Sequence, residues 1–218
     1  MSNPVKIDFV SDVACPWCAI GLASLERAIA AVGDGLQIEV RFQPFELNPD
    51  VGPAGESIAD HLGHKYGLSP EQLAQNGEAL RRRGEALGFY FDLQKRDRIY
   101  NTFDAHRLLH WAGGIGAEPQ RALKHALLRA YHGEGRNVSD RDTLVAIAGD
   151  AGLDADEARR ILDTGRFAAE VRERERFYQQ HGIQAVPSVI FNERHLVQGG
   201  QPPETFEQAL RQLSGITA

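Results

Sequence analysis

The chain is poor in sulfur: its 218 residues include two cysteines and one methionine. That excludes a disulfide-stapled scaffold and a zinc site built from four thiolates. Positive charge is also short, with 24 lysines and arginines against 30 acidic residues and a net charge of −6. Such a chain does not gather phosphate backbones, so nucleic acid is not an expected partner. No apolar run approaches the ~18 residues of a membrane span, and no membrane partner is expected. The first ten residues include Lys6 and Asp8 and lack the uninterrupted apolar stretch of a secretory signal. The expected location is therefore the cytoplasm. What is present, 42% hydrophobic and 25% charged residues, suits an ordinary globular domain. A chain of this length buries about 70% of its unfolded surface and needs no staple to fold.

The hydrophobic pattern changes period along the chain. Val5, Ile7 and Phe9 alternate with Lys6 and Asp8, which predicts a strand over Val5–Ser11. From Pro16 to about Ala31, Ile20, Leu22, Leu25 and Ala28 fall at helical spacing; Gly33-Asp34-Gly35 stops the helix, and Leu36–Phe42 reads as a second strand. Strand, helix and strand make a right-handed βαβ unit with a parallel pair. Between about Gly52 and Gly182 strand signals almost vanish. Helices are expected over Ser57–Tyr66, Pro70–Leu87, Asn101–Trp111, Pro119–Tyr131, Asp140–Ala151, Asp154–Leu162 and Phe167–His181. Ser69-Pro70 marks one start, and Ser139 to Asp142 has the spacing of a capping box. The run Glu170–Arg176 reads as a solvated helix face. Strand texture returns at Val186–Asn192, turns at Asn192-Glu193-Arg194 and comes back over His195–Gln198 as a hairpin. A last helix, Pro202–Leu213, points Phe206, Leu210 and Leu213 inward. The fold class is α/β, in three segments: 1–51, an all-helical insertion over 52–182, and 183–218.

Both cysteines sit in Cys15-Pro16-Trp17-Cys18, where a strand gives way to a helix. Cys15 is the expected N-cap and Pro16 the first helical residue, where a missing N–H costs nothing. Unpaired amides and the positive helix end then favour a thiolate at Cys15. Cys18, three residues on, lies on the same side of the first turn. The expected division of labour is that Cys15 attacks a partner disulfide and Cys18 resolves the mixed disulfide. Zinc would need two more ligands, and the histidine pairs His106/His110 and His61/His64 lie in the insertion, so no metal is expected. Trp17 falls on an exposed tip and reads as substrate-facing.

A second element is Val186-Pro187, a proline entering an apolar strand, where it removes a ladder donor. If that strand lies beside the first, its start sits next to Cys15. A cis bond there would turn the Val186 backbone toward an extended substrate, although X-Pro bonds are cis in only about 5–6% of cases. Gly199-Gly200 reads either as a tight turn or as backbone donors for a carboxylate such as glutathione's γ-glutamyl end.

These pieces resemble the DsbA-like branch of the thioredoxin superfamily, and over essentially the whole chain. Asp12-Val13-Ala14-Cys15-Pro16-Trp17-Cys18-Ala19-Ile20-Gly21, Pro44-Phe45-Glu46-Leu47-Asn48-Pro49 and Asn101-Thr102-Phe103-Asp104-Ala105-His106-Arg107-Leu108 are similar to FrnE-type proteins. The resemblance implies a thioredoxin-like fold, a cis Pro187 and a nucleophilic Cys15. It also brings in 2-hydroxychromene-2-carboxylate isomerases and kappa-class glutathione transferases, which carry serine where this chain has Cys15. DsbA itself has a histidine between its cysteines; Pro16-Trp17 here implies a less oxidising couple. The insertion is expected to form a lid. Asn101 and His106 on it are candidate substrate contacts, beside Asp104 and Arg107, with Phe103, Leu108 and Leu109 packed inward. For His106 the alternative is a buried, hydrogen-bonded helix residue.

The reading is a cytoplasmic thiol–disulfide oxidoreductase or isomerase, with Cys15 and Cys18 catalytic. Pro16, Trp17, Val186, Pro187, Asn101 and His106 are its expected substrate contacts. No tightly bound cofactor is expected beyond the redox-active disulfide, with glutathione as a candidate co-substrate. The substrate class is a protein or small-molecule thiol or disulfide; monomer and homodimer both remain open. The alternatives are a glutathione-dependent isomerase or transferase, and a redox-inert binding module for unfolded chains.

Overall fold

The computed structural model describes residues 4–33, 35–52 and 54–214. Met1–Asn3, part of the stretch that lacks the pattern of a secretory signal, and the middle residue of the Gly33-Asp34-Gly35 stop lie outside the described residues. Strand β1 (Val5–Ser11) leads into helix α1 (Pro16–Val32), and β2 (Ile38–Pro44) returns parallel to β1, pairing Ile7 with Val40 and Phe9 with Phe42. Strand β5 (Ser188–Phe191) runs antiparallel on the other side of β1, and β6 (His195–Gln198) completes the order β2-β1-β5-β6. Asn192 and Glu193, the first two of the three residues between the paired Phe191 and His195, have φ of 49° and 59°, the left-handed conformation at both central positions of a turn closed by the Arg194 N–H donating to the Phe191 carbonyl at 3.1 Å. Asn192 also ties the turn to β1, exchanging hydrogen bonds with the Lys6 backbone. Helix α9 (Pro203–Ser214) lies beside α1 and buries Phe206 and Leu210. This is the α/β thioredoxin-like fold.

Between β2 and β5 come α2 (Ile58–Tyr66), α3 (Pro70–Leu87), α4 (Phe103–Ile115), α5 (Ala117–His132), α6 (Arg141–Asp150), α7 (Ala155–Thr164) and α8 (Ala168–Gln180). Their boundaries follow local chemistry. Ser69 and Gln72 form a reciprocal capping box at the start of α3, and Gly88 closes that helix with φ of 80°. The expected box at Ser139 is corrected: Asp140 is the cap and accepts from the Thr143 N–H, while Ser139 bonds to Asn137. The insertion also holds a small sheet that periodicity could not reveal. Strands β3 (Glu56–Ser57) and β4 (Arg98–Ile99) have two residues each, too few for an alternation to show.

The solvated-face reading of Glu170–Arg176 holds for Glu170, Glu173, Arg174 and Arg176, which are exposed, and is corrected at one stripe. Val171 and Glu175 are buried, and Arg172 pairs with Glu175 and with buried Glu46 while lying 3.7 Å from the centre of the Phe103 ring. Phe103 is accordingly half-buried, whereas Leu108 and Leu109 are fully inside.

Two large apolar cores result, with a small third around Val10, Phe45, Tyr178 and Ile183. One lies between the sheet and α1 and α9, around Ile7, Phe9, Leu25, Phe42, Phe191 and Phe206; the other fills the helical segment around Leu108, Leu127, Tyr131, Ile147 and Ile161. The β1–α1 connection joins them: Val13 and Ala14 belong to the helical core, Cys15 and Cys18 to the sheet core. Because β2 is an edge strand, its backbone needs a partner. Gln120 of α5 supplies one, accepting from the Phe42 N–H at 3.0 Å and donating to the Phe42 carbonyl at 3.0 Å. The insertion is thus fastened to the sheet close to the thiols.

Candidate active site

The site begins at Asp12, which is buried and organises the turn out of β1. Its carboxylate accepts from the N–H groups of Ala14 (3.1 Å) and Leu47 (2.7 Å), and His106 Nε2 lies 3.6 Å away. Burial pushes the carboxyl up, but the His106 hydrogen bond and charge, with the Leu47 N–H and Thr102, hold it below its ordinary value. The turn closes as the Cys15 N–H donates to the Asp12 carbonyl at 3.3 Å, and Cys15 becomes the N-cap of α1. No side chain caps this helix, Pro16 follows, and no acidic residue stands in the first turn. The positive helix end is left to act on sulfur.

Both cysteines are free thiols. Cys15 is only 3% exposed and Cys18 wholly buried. The Cys15 thiol donates to the Val186 carbonyl at 3.6 Å, and the Val186–Pro187 peptide is cis. Burial pushes the Cys18 thiol well above its ordinary value, and its hydrogen bond with the Cys15 sulfur pushes it further. The two sulfurs therefore differ in kind: one beside a backbone acceptor at the helix start, the other wholly enclosed and holding its proton.

The rim comes from three distant stretches of chain. Trp17 is 44% exposed. The Arg83 guanidinium of α3 lies 5.5 Å from its ring centre and donates to the Gly200 carbonyl. Gly200 packs tightly here: an added Cβ would sit 3.0 Å from the Trp17 carbonyl and 3.2 Å from Ile20, so a larger residue would need these neighbours to give by a few tenths of an ångström. The Gly199 N–H donates to the Pro187 carbonyl at 2.8 Å. Gly199-Gly200 is therefore the turn that lets β6 and α9 close against the first turn of α1.

Cys15, Pro16, Trp17, Cys18, Val186 and Pro187 are brought to one place. Asn101 and His106 are not at the thiols. Asn101 donates to Glu46 and to the Pro49 carbonyl while its oxygen accepts from the Phe103 N–H. His106 is buried, with Nε2 3.1 Å from the Phe45 carbonyl, and reaches the site only through Asp12. Both brace the segment after β2. Among the described residues no group of three His, Cys, Asp or Glu side chains could hold a metal ion, and no helix is long and apolar enough to cross a membrane.

Sequence reasoning missed Asp12 as an organiser, Arg83 as a rim residue, and the buried Lys124 and His132 of α5. The available signal was positional: Gln120, Lys124 and His132 recur every four or eight residues on the face that also carries Leu127 and Leu128.

Residues 6–211 match the family model for the DSBA-like thioredoxin domain. A probable DsbA oxidoreductase of Streptomyces coelicolor superposes with a TM-score of 0.89 at 37% identity, over 98% of this chain and 92% of that one. At lower identity, a 2-hydroxychromene-2-carboxylate isomerase gives a TM-score of 0.69 at 16%, over 98% of this chain and 100% of its own. The cytosolic disulfide reductase DsbM of Pseudomonas aeruginosa, solved with GSH, gives 0.63 at 18%, over 95% and 98%. With a redox-type cysteine pair at a helix start and a family match over nearly its whole length, the chain belongs to the DSBA-like thioredoxin domain family of thiol–disulfide oxidoreductases.

Proposed function

We propose that the chain catalyses thiol–disulfide exchange, with Cys15 as the nucleophile and Cys18 as the resolving thiol. The observation that carries this is the asymmetry of the pair: one sulfur at an uncapped helix start facing the carbonyl before the cis Pro187, the other wholly buried and keeping its proton. The Cys15 thiolate attacks one sulfur of a substrate disulfide, forming a mixed disulfide and expelling the other sulfur as a thiolate. Cys18 then loses its proton and attacks Cys15. The new Cys15–Cys18 bond holds the two electrons' worth of oxidation, and the remaining substrate sulfur departs as a second thiolate. Run backwards, the same steps oxidise a dithiol. Trp17, Val186 and Pro187 line the approach, and the Val186 carbonyl, facing the Cys15 thiol, is placed to meet an extended substrate backbone.

The substrate class is a protein or small-molecule disulfide, with glutathione as the proposed co-substrate that resets the pair, and the cytoplasm as the proposed location. Cysteine usage supports that location, because both thiols serve the exchange motif and no structural disulfide is present among the described residues. A glutathione-dependent isomerase on the same fold is the second reading. It is favoured by the likeness to the isomerase and opposed by cysteine at both motif positions.

Replacing Cys18 with alanine tests the division of labour. The variant is expected to trap a mixed disulfide on Cys15 with glutathione or a scrambled protein, seen by non-reducing gel and mass spectrometry, while net turnover disappears. Turnover that survives intact would favour the isomerase reading. Equilibration of the wild-type pair against glutathione buffers should give a reversible couple between roughly −270 and −120 mV.

A further inference from the structure

Helix α3 carries three consecutive arginines with different fates. Arg81 pairs with Glu78 and Glu85, and Arg82 pairs with Glu78. Arg83 is half-buried, yet it has no carboxylate partner among the described residues. A guanidinium that has shed part of its water and lacks a counter-ion is a ready partner for an anion. Its own bonds use little of it. One terminal nitrogen donates to the Gly200 carbonyl, and the guanidinium carbon lies 5.5 Å from the centre of the Trp17 ring. The group carries several further N–H donors.

The position of Arg83 on its helix brings that charge to the thiols. Leu80, Arg83 and Leu87 are three and four residues apart and share one face of α3. Leu80 is buried in the same core as Cys15 and Cys18, and Leu87 packs against that core. From the end of Arg83, contacts lead to the nucleophile in short steps. Gly200 accepts the Arg83 bond, and the neighbouring Gly199 N–H donates to the Pro187 carbonyl at 2.8 Å. Across the cis bond from Pro187, the Val186 carbonyl accepts from the Cys15 thiol at 3.6 Å. The first turn of α1 adds no acidic residue that would oppose an anion, and the positive end of that helix attracts one.

We propose that Arg83 makes the site selective for disulfides that carry a carboxylate, by holding that carboxylate beside Trp17 while the attached sulfur bonds to Cys15. The inference rests on the reading of Cys15 as the nucleophile and names the substrate class of that site. The Cys15 thiolate attacks the sulfur of the held half. The substrate S–S bond breaks, and the other half departs as a thiolate with the electron pair. The held half, now in a mixed disulfide, keeps its carboxylate on the guanidinium until Cys18 loses its proton to water and displaces it as a second thiolate. The planar fork of an arginine can take both carboxylate oxygens, which the single ammonium of a lysine cannot do in the same geometry. Trp17 buttresses the guanidinium through a cation–π contact, so the residue between the two cysteines takes part in the selection. The same charge repels a cationic substrate, which sharpens the choice.

The test uses three small disulfides of different charge: 4,4′-dithiodibutyrate, bis(2-hydroxyethyl) disulfide and cystamine. Each oxidises the fully reduced protein, and remaining thiols are counted by mass spectrometry after quenching with N-ethylmaleimide in denaturant. Every variant is compared with wild type on the same disulfide, so differences in intrinsic reactivity cancel. In Arg83→Met the preference for dithiodibutyrate over the neutral disulfide should fall about tenfold, the scale of one charge-assisted hydrogen bond. The discrimination against cystamine should fall with it. Arg83→Lys keeps the charge and loses the fork; it should restore the discrimination against cystamine more fully than the preference for the carboxylate. Raising the salt from about 0.02 M to about 0.5 M should weaken the wild-type preference, and weaken it less in Arg83→Met. Slowing by one factor for all three disulfides would make Arg83 a brace for Gly200 and Trp17 and overturn the selective role. A preference that ignores both the substitution and the salt would overturn it too. If none of the three oxidises the wild-type pair, the exchange reading fails, and this inference with it.

Discussion

Cys15→Ser is expected to bring catalysed exchange down to background, a loss of about a thousandfold or more, the scale seen when a nucleophile is removed. The reason lies in what remains. A serine hydroxyl at the helix start stays protonated, because the helix end and the neighbouring amides shift an ionisation equilibrium by a few units at most. Cys18 cannot take over. It is wholly buried, and that burial, which the loss of the Cys15 sulfur leaves in place, keeps it a thiol. The measurement is the reduction rate of a small aromatic disulfide, with circular dichroism to show that the fold is retained. The same variant separates the rival reading, because the resemblance drawn from the sequence implies serine at this position for a glutathione-dependent isomerase. If the chain were a glutathione-dependent isomerase, Cys15→Ser would keep or gain glutathione-dependent turnover of an aromatic carboxylate substrate. Retained turnover together with silent disulfide chemistry would reverse the order of the two proposals.

Most of what places the thiols was legible in the residues. The alternation over β1, the glycine stop after α1 and the Pro70, Pro187 and Gly199-Gly200 positions each encode a local conformation. The chain writes such features within a few residues of one another. What stayed hidden depends on contacts far apart in sequence. Gln120 completes the edge of β2 from 78 residues away. Arg83 reaches the Gly200 carbonyl across 117 positions. The charge run at Glu170–Arg176 has surface composition, yet its Glu175 is buried because Glu46, 129 positions earlier by subtraction of the residue numbers, converges with it on Arg172. The same limit applies to Asn101 and His106. Their residue types suit a binding surface, and only the tertiary fold shows their polar atoms bonded to the segment between Phe45 and Pro49.

Asp12 carries the largest expected stability effect near the site. Asp12→Ala would leave the buried Ala14 and half-buried Leu47 N–H groups without their acceptor and His106 without its carboxylate. Breaking a buried, hydrogen-bonded charge of this kind costs about 3–5 kcal/mol. For a chain of this length that is a fall in Tm of about 6–20 °C. Asp12→Asn keeps the shape and one accepting oxygen, but turns an NH2 toward one of the two backbone donors. A single orphaned buried group costs about 1–3 kcal/mol, so the asparagine variant should melt between the wild type and the alanine variant. The pH dependence follows from the direction of the shift. The folded carboxyl titrates below its unfolded value, so its contribution is complete above the ordinary carboxylate range. It is lost as the pH falls through the folded value. Wild-type stability should therefore drop more steeply than that of Asp12→Asn below about pH 4. Parallel curves would mean that Asp12 adds no net ionic stabilisation and that the turn carrying Cys15 is held by the backbone alone. Alkylation of Cys15 by iodoacetamide gives the link to function, since a loosened turn exposes a residue that is 3% accessible in the native fold and should speed its alkylation.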